Sequence, residues 1–152
     1  MKRIVVFCFL AIAVTACHKD KVETKPHVTF KSLSADVVDP GKSNGLQVTL
    51  EFTDQEGDLD SLYVIRERLN KRGVQRKLLD YGVPEFSGQS KGELLLTLAY
   101  ATDLTLNLPE LNIPGSVPKR NEPDTLQLRF YVVDKAKNTS DTTSPKQVIV
   151  IR

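Results

Sequence analysis

Four carboxylates are crowded into one short stretch of this 152-residue sequence. The acidic residues alternate with other residue types; they are Asp54, Glu56, Asp58 and Asp60. Carboxylates at this density repel one another unless water or a hard cation neutralises them, and Ca²⁺ takes about six to eight oxygen ligands. Gly57 would let the chain bend around an ion. The pattern therefore indicates either a calcium site or a solvated turn without metal, and its spacing is not that of an EF-hand loop.

The sequence has few of the residues that nucleophilic catalysis or a transition-metal site would need. The two histidines are His18 and His27, and the two cysteines are Cys8 and Cys17, all near the N-terminus. A Ser–His or Cys–His nucleophile needs a histidine base, and a zinc site needs several His or Cys ligands. The acids share one loop and the sequence has no tryptophan for a sugar platform, which disfavours glycoside hydrolysis. We therefore expect no enzyme, with a small glycan-active enzyme as the weakest alternative.

Basic residues form a second cluster, six within twelve positions, offset by Glu67 alone. They are Arg66, Arg68, Lys71, Arg72, Arg76 and Lys77. Such a cluster could form an exposed patch for an anionic glycan, lipopolysaccharide or an acidic protein. It could equally be an edge hairpin whose charges block edge-to-edge pairing. Nucleic-acid surfaces interleave aromatic residues for stacking, which this cluster lacks, so no nucleic-acid partner is expected.

The first seventeen residues have the order of features of an export signal. Lys2 and Arg3 precede an uninterrupted apolar run over residues 4–14, and Thr15-Ala16-Cys17 follows it. Eleven apolar residues are too few to cross a bilayer, which takes about 20. A positively charged N-terminal region, a short hydrophobic region and small residues before a cleavage site are typical of a secretory signal peptide. The expected organisation is a cleaved signal (1–16), a lipidated cysteine and tether (17–26) and one domain (27–152).

Val14-Thr15-Ala16-Cys17 resembles the lipobox of bacterial lipoproteins, which is an aliphatic residue, a small residue, Gly, Ala or Ser, and then cysteine. The resemblance implies a diacylglycerol thioether and further acyl lipid on Cys17, and several acyl chains anchor a protein stably where one does not. His18 stands where lipoproteins of the inner membrane often have Asp. The charged stretch Lys19-Asp20-Lys21 resembles the export segment of Bacteroidetes surface lipoproteins. The resemblance therefore implies the outer membrane, on its periplasmic face or at the cell surface.

Composition and charge describe an ordinary globular body. Apolar residues make up 40% and charged residues 26%, which fits neither a disordered nor a membrane-embedded chain. Apart from Lys2 and Arg3, basic and acidic residues are equal in number, so no general attraction to nucleic acid is expected. Because both cysteines lie in or beside the leader, neither a disulfide nor a cysteine metal site is expected in the domain.

Alternation of apolar and polar residues predicts β-strands throughout the body of the chain. Strands are expected over 28–30, 46–53, 62–69, 77–80, 94–100, 125–132 and 148–151. Which face of the strand 62–69 points inward is open, since the alternating sets that start at Leu62 and at Tyr63 both qualify. Alternation resumes over 104–108 after a break that could be a bulge or a tight hairpin. Seven or eight such strands predict an all-β, immunoglobulin-like antiparallel β-sandwich.

Two loops resemble those of immunoglobulin-like and cadherin-like domains of bacterial lipoproteins. The stretch from Asp134 to Ser140 resembles the hairpin between their last two strands, with Lys137 where Gly is usual. The acidic stretch resembles the Asp-x-Asp-Gly-Asp loops of such domains, with Glu56 in place of Asp. In a sandwich these two loops lie at one end, which brings Asp134 toward the acidic loop. The expected calcium ligands are Asp54, Glu56, Asp58, Asp60 and Asp134.

The stretch over residues 108–123 holds four prolines and Gly115. Loops of this length are uncommon and often functional. It could be a rigid recognition loop, because prolines reduce the entropy lost on binding. It could also be a crossover between the sheets whose apolar residues cap the core.

Together these features predict a non-catalytic binding or scaffolding module of the cell envelope. The expected partners are the membrane, through the lipid on Cys17, and an envelope protein or glycan. The alternative is a purely structural envelope domain stabilised by calcium.

Overall fold

The computed structural model describes residues 25–85 and 88–152. In these ranges the strands are β1 (His27–Leu33), β2 (Val37–Val38), β3 (Gly45–Thr53), β4 (Leu59–Arg68), β5 (Gln75–Gly82), β6 (Lys91–Ala99), β7 (Asp124–Asp134) and β8 (Lys146–Val150). A π-helical turn, Tyr100–Leu104, follows β6. No helix of the described ranges is long and apolar enough to cross a membrane. The predicted signal, the predicted lipidation site Cys17 and most of the predicted tether lie outside the described residues.

The strands form two packed sheets, one in the order β1-β3-β6 and the other in the order β2-β8-β7-β4-β5. Neighbouring strands are antiparallel except for the short β2, which runs parallel to β8. The order corresponds to strands A, B and E of the immunoglobulin sandwich in one sheet and G, F, C and C′ in the other. The predicted all-β sandwich is confirmed.

Strict alternation explains how the two sheets share one core. In β7 every second residue is buried along the whole strand, and in β3 Leu46, Val48 and Leu50 are fully buried. Burying one such side chain contributes about 1.5–3 kcal/mol. In β4 the inward residues are Leu62 and Val64, which settles the face that the sequence left open.

Residues 104–108 do not form a strand, although they alternate. The break before them is neither a bulge nor a hairpin. The chain instead closes the π-helical turn, because the Thr105 amide donates to the Tyr100 carbonyl (3.0 Å) and the Ala99 amide donates to Asp103 Oδ2 (2.7 Å). Leu104 and Leu108 are buried and cap the core. Two leucines four positions apart fit a turn as well as a strand, so their spacing was misleading.

The antiparallel registers sort the loops into two ends. Pairing of His27 with Thr53 places residues 25–26 beside the start of the acidic loop, and pairing of Leu59 with Asp134 brings the β7–β8 hairpin there too. We call this the tether end. The opposite, far end holds the segments 39–44, 69–74 and 100–123.

Candidate functional site

Two loops at the tether end bring four carboxylates together. Asp54, Glu56, Asp58 and Asp134 each offer a carboxylate oxygen, and these four oxygens all lie within 4.8 Å of one another. We call these residues the carboxylate cluster. Calcium binds oxygen at about 2.3–2.6 Å, so ligands on opposite sides of the ion lie about 5 Å apart, whereas for Mg²⁺ at about 2.0–2.1 Å the limit is about 4 Å. The four oxygens are therefore close enough together to surround one Ca²⁺ ion.

The main chain fixes the positions of these side chains. The Asp54 amide donates to the Ser90 carbonyl (2.8 Å), and the Lys135 amide donates to the Asp58 carbonyl (3.0 Å), which ties the acidic loop to the hairpin. Gly57 has a φ of +65°, and a Cβ there would lie 2.9 Å from the carbonyl carbon of Gly88. A glycine is therefore required for the acidic loop to fold against its neighbour.

The Asp134 carboxylate is oriented from within its own hairpin. Its Oδ1 accepts from the Asn138 amide (2.7 Å), and its Oδ2 accepts from Asn138 Nδ2 (2.7 Å). Lys137, which replaces the usual glycine, adopts a φ of +70° in the same turn. Lys137 thus has the left-handed backbone conformation that glycine adopts most readily.

The cluster carries more negative charge than its surroundings compensate. Asp54 is only 2% exposed; its Oδ2 accepts from the Asp58 amide (2.8 Å), but its Oδ1 has no hydrogen-bond partner among the described residues. Asp58 Oδ1 is likewise buried and unpartnered in that part of the chain. Burial, reinforced by the charges of Asp54 and Asp134, raises the pKa of Asp58. A buried carboxylate oxygen without a donor is costly, and a cation is the group that would relieve it.

Asp60 lies outside the carboxylate cluster and forms an ion pair instead. Asp60 already belongs to β4, and its Oδ2 accepts from Lys137 Nζ (2.9 Å), a hydrogen bond that lowers the pKa of Asp60. Lys135 Nζ lies 3.0 Å from Glu85 Oε1 on the same rim. The structure therefore brings together four of the five expected calcium ligands and leaves Asp60 in an ion pair outside them.

The six basic residues do not form one exposed patch. Arg66 is 2% exposed and Arg68 is fully buried, because both continue the inward-facing series of β4. Lys71, Arg72 and Arg76 are exposed, and Lys77 is partly buried. The prediction of a surface patch is therefore wrong for Arg66 and Arg68, although the remaining four stay at or near the surface of the β4–β5 hairpin.

The buried arginines hold the main chain of the far end. Arg66 Nη1 donates to the Asp103 carbonyl (2.7 Å), and its Nη2 donates to the Leu106 carbonyl (3.2 Å). Arg68 Nη1 donates to the Pro109 carbonyl (2.8 Å), and Arg68 also forms a fully buried ion pair with Asp124. These carbonyls replace the water that the guanidinium groups lose on burial.

The segment over residues 105–123, which we call the proline loop, crosses from β6 of the small sheet to β7 of the large sheet. Asn70 Nδ2 donates to the Pro123 carbonyl (2.9 Å), and Arg152 Nη2 donates to the Leu108 carbonyl (2.7 Å). Its tip exposes Val117, which is 94% accessible. The loop is thus a crossover that caps the core, and a role in recognition stays a prediction.

Sequence reasoning missed the residues that complete this bracing. Asp124, Asn70 and Arg152 lie far apart in the sequence, and none stood out by motif. One signal was available, because Asp124 falls on the inward series of β7 that continues through Leu126 and Leu128. A charged residue on the buried face of a predicted strand indicates a buried partner.

No protein-family model matches this chain, and no curated protein or solved structure is significantly similar to it.

Proposed function

We propose that this chain is a calcium-binding, non-catalytic module of the cell envelope, anchored to the outer membrane by lipid on Cys17. The observation that carries the calcium site is the carboxylate cluster, in which the buried Asp54 Oδ1 lacks any described hydrogen-bond donor. The lipid anchor is supported by the lipobox resemblance at Val14–Cys17. The module's expected work is binding or scaffolding of an envelope protein or glycan.

The position of the cluster favours a structural role for the ion. Asp54 directly follows β3 of the small sheet, and Asp134 ends β7 of the large sheet. An ion held by both would join the two sheets at the tether end. Two of the four ligand residues are almost completely buried, so the site has little room for a substrate. Calcium would stiffen the domain rather than take part in a reaction.

Thermal unfolding of the purified protein in calcium and in chelator tests this proposal. A ligand that binds only the folded state adds about 2.7 kcal/mol at a free concentration of about 100 Kd, so calcium should raise the melting temperature by several degrees. Asp54→Asn and Asp58→Asn should abolish the shift. Asp60→Asn is the matched control, because Asp60 is in the same loop region but outside the cluster, and its shift should persist.

Calorimetric titration with calcium gives the second readout. Binding in the range of extracellular modules, with Kd about 10⁻⁴–10⁻³ M, is expected for the wild type and for Asp60→Asn. Equal melting temperatures in calcium and chelator, with no heat of binding at millimolar calcium, would make the acidic loop a solvated turn.

A further inference from the structure

We propose that β6 is a docking edge for a second copy of this chain. Antiparallel pairing of β6 with β6 of the second copy, centred on Leu95, would join two three-stranded sheets into one continuous sheet. The inference does not depend on calcium or on the lipid anchor. It rests on the condition of the four sheet edges, the hydrogen-bond phase of β6 and the self-complementarity of its sequence.

Three of the four edges carry features that discourage pairing. The register of β1 with β3 is irregular between Phe30 and Ser32, and β2 is only two residues long. In β5, Lys77 lies opposite Arg66 and therefore on the inward-facing side of an edge strand. Bulges, short strands and inward charges are the devices that protect sheet edges from other chains.

Within the described residues, the β6 edge has no bulge and no inward charge, and its charged side chains are the outward-facing Lys91 and Glu93. It keeps an unbroken register with β3 over nine residue pairs, and among the described strands it pairs with β3 alone. The strand contains no proline, and its inward residues are uncharged. A long, regular edge of this kind is a template for another strand.

The hydrogen-bond phase of β6 determines which groups face the open edge. The Tyr100 amide donates to the Asn44 carbonyl (2.8 Å), and the Asp54 amide donates to the Ser90 carbonyl (2.8 Å). Both bonds continue the β3–β6 register, and bonded pairs alternate along an antiparallel ladder. The main-chain amide and carbonyl groups of the even-numbered residues of β6 therefore form the hydrogen bonds to β3. The residues that direct their amide and carbonyl groups toward the edge are Lys91, Glu93, Leu95, Thr97 and Ala99.

The same five residues are complementary to themselves across a two-fold axis. With Leu95 at the centre, Leu95 faces Leu95 of the second copy, Glu93 faces Thr97 and Lys91 faces Ala99. No like charges are opposed, whereas a centre at Glu93 would oppose two carboxylates. The Leu95 side chain is 69% exposed and would be covered by its counterpart.

Each facing pair in this arrangement exchanges two hydrogen bonds, about ten in all, in an isologous interface. The interface buries little apolar area, so we expect it to be weak in dilute solution. A cross-linking measurement on the full chain, in intact cells that express it, is therefore the appropriate test.

The test uses one added cysteine in each variant, beside the native Cys8 and Cys17, and a mild oxidant. Facing Cα atoms of a bonded pair lie about 5.5 Å apart, within the range that a disulfide spans. Leu95→Cys should form a disulfide-linked dimer. Glu93→Cys and Thr97→Cys should each remain monomeric alone and should cross-link when the two variants are co-expressed. Gln47→Cys, exposed on the central strand β3 of the same sheet, is the control, and the chain without added cysteine gives the background.

A further substitution should disrupt the pairing of β6 with β6 without unfolding the chain. Leu95→Lys opposes two lysines at the centre and should lower the Glu93→Cys/Thr97→Cys cross-link at least tenfold, while its exposed position should leave the melting temperature unchanged. The proposal is overturned by Leu95→Cys dimers no more abundant than those of Gln47→Cys, or by cross-linking of Glu93→Cys alone at the level of the mixed pair. It is also overturned by an adduct that contains a different protein, or by Leu95→Lys without effect on the cross-link.

Discussion

Asp124 is fully buried between two arginines at the far end of the sandwich. It forms an ion pair with Arg68, and Arg152 Nε lies 3.5 Å from its Oδ2. Burial raises the pKa of Asp124, and the neighbouring guanidinium charges oppose that rise. The single carboxylate is thus the counterion that makes two buried cations tolerable.

Removing this counterion should be strongly destabilising. Asp124→Asn leaves Arg68 and Arg152 buried without a compensating charge, which costs about 3–5 kcal/mol. Urea unfolding measures the loss. Glu122→Gln is the control, because Glu122 pairs with the exposed Arg72 and such pairs contribute less than about 1 kcal/mol. Equal losses for the two variants would contradict the assignment of Asp124 as the essential counterion.

The raised pKa values in the carboxylate cluster make a prediction about acidity. For Glu56 burial comes first and the charges of Asp58, Asp134 and Asp54 add to it, so Glu56 and Asp58 bind protons more readily folded than unfolded. The contribution of these two residues to the stability of the calcium-free protein should therefore fall as pH rises above the usual pKa of about 4 of a free carboxyl group. Carboxyls with lowered pKa values act in the opposite direction; they are Asp60, Glu85, Glu122 and Asp141.

Melting curves in chelator at about pH 7 and about pH 5 check this sign, since the upper value lies above and the lower nearer the ordinary carboxyl range. Compared with Asp58→Asn, the wild type should gain melting temperature on going from the higher to the lower pH. With saturating calcium the charges are neutralised and the gain on acidification should disappear. An identical change in melting temperature between the two pH values for the wild type and for Asp58→Asn would contradict electrostatic stress in the cluster.

At the scale of elements, β4 shows what the sequence could and could not reveal. Its alternation predicted a strand, and placing Leu62 and Val64 inward also places Arg66 and Arg68 inward. The pattern alone suggested surface charges, because the acceptors are main-chain carbonyls about 40 residues away. Carbonyl groups carry no sequence signature, so this bracing could not be predicted.

The carboxylate cluster was more accessible to prediction. Asp54, Glu56 and Asp58 followed from spacing, and Asp134 followed from the rule that these loops share one end of a sandwich. Asp60 was misassigned because the start of β4 at Leu59 had no local signal. The open edge of β6 is likewise a property of strand pairing, which is nonlocal, and only the fold reveals it.

The braced proline loop should resist proteolysis although it contains no named strand. Arg66→Gln removes the donors to the Asp103 and Leu106 carbonyls, and bonds from charged donors contribute about 1.5–3 kcal/mol each. Trypsin cleavage after Lys119 or Arg120 should accelerate at least tenfold, as opening becomes easier.

Mass spectrometry of the first tryptic fragments identifies the cut. Arg76→Gln, an exposed position in β5, should leave the cleavage rate of the proline loop unchanged. Unchanged cleavage in Arg66→Gln would mean that the loop is ordered independently of the buried arginine.

At the scale of the whole molecule, the proposed lipid anchor would give the two ends of the sandwich different surroundings. Residues 25–26 leave the sandwich at the tether end, so a lipid on Cys17 would place the carboxylate cluster nearest the membrane. The nine residues of β3 span about 30 Å at about 3.3 Å per residue. The proline loop and the exposed residues of the β4–β5 hairpin would then point away from the lipid, toward an envelope partner.

The anchor is tested by cell fractionation. Cys17→Ser should move the protein from the membrane to the soluble fraction, because the acyl chains supply the membrane affinity. Cys8→Ser, within the apolar leader, is the control and should remain membrane-bound. Unchanged membrane partitioning of Cys17→Ser would contradict the lipid anchor.

A pull between a lipid anchor and a partner gripping the far end would load β1 lengthwise. The ladder of β1 with β3, from the His27–Thr53 pair to the Leu33–Val48 pair, lies across the direction of that force. Its hydrogen bonds would have to yield together in shear, rather than one after another as when strands are peeled apart. Calcium bound between Asp54, which follows β3, and Asp134, which ends β7, would connect these two strands. Part of the force on the small sheet would then be transmitted to the larger sheet. The acidic loop would then be the force-bearing connection between the two sheets at the tether end.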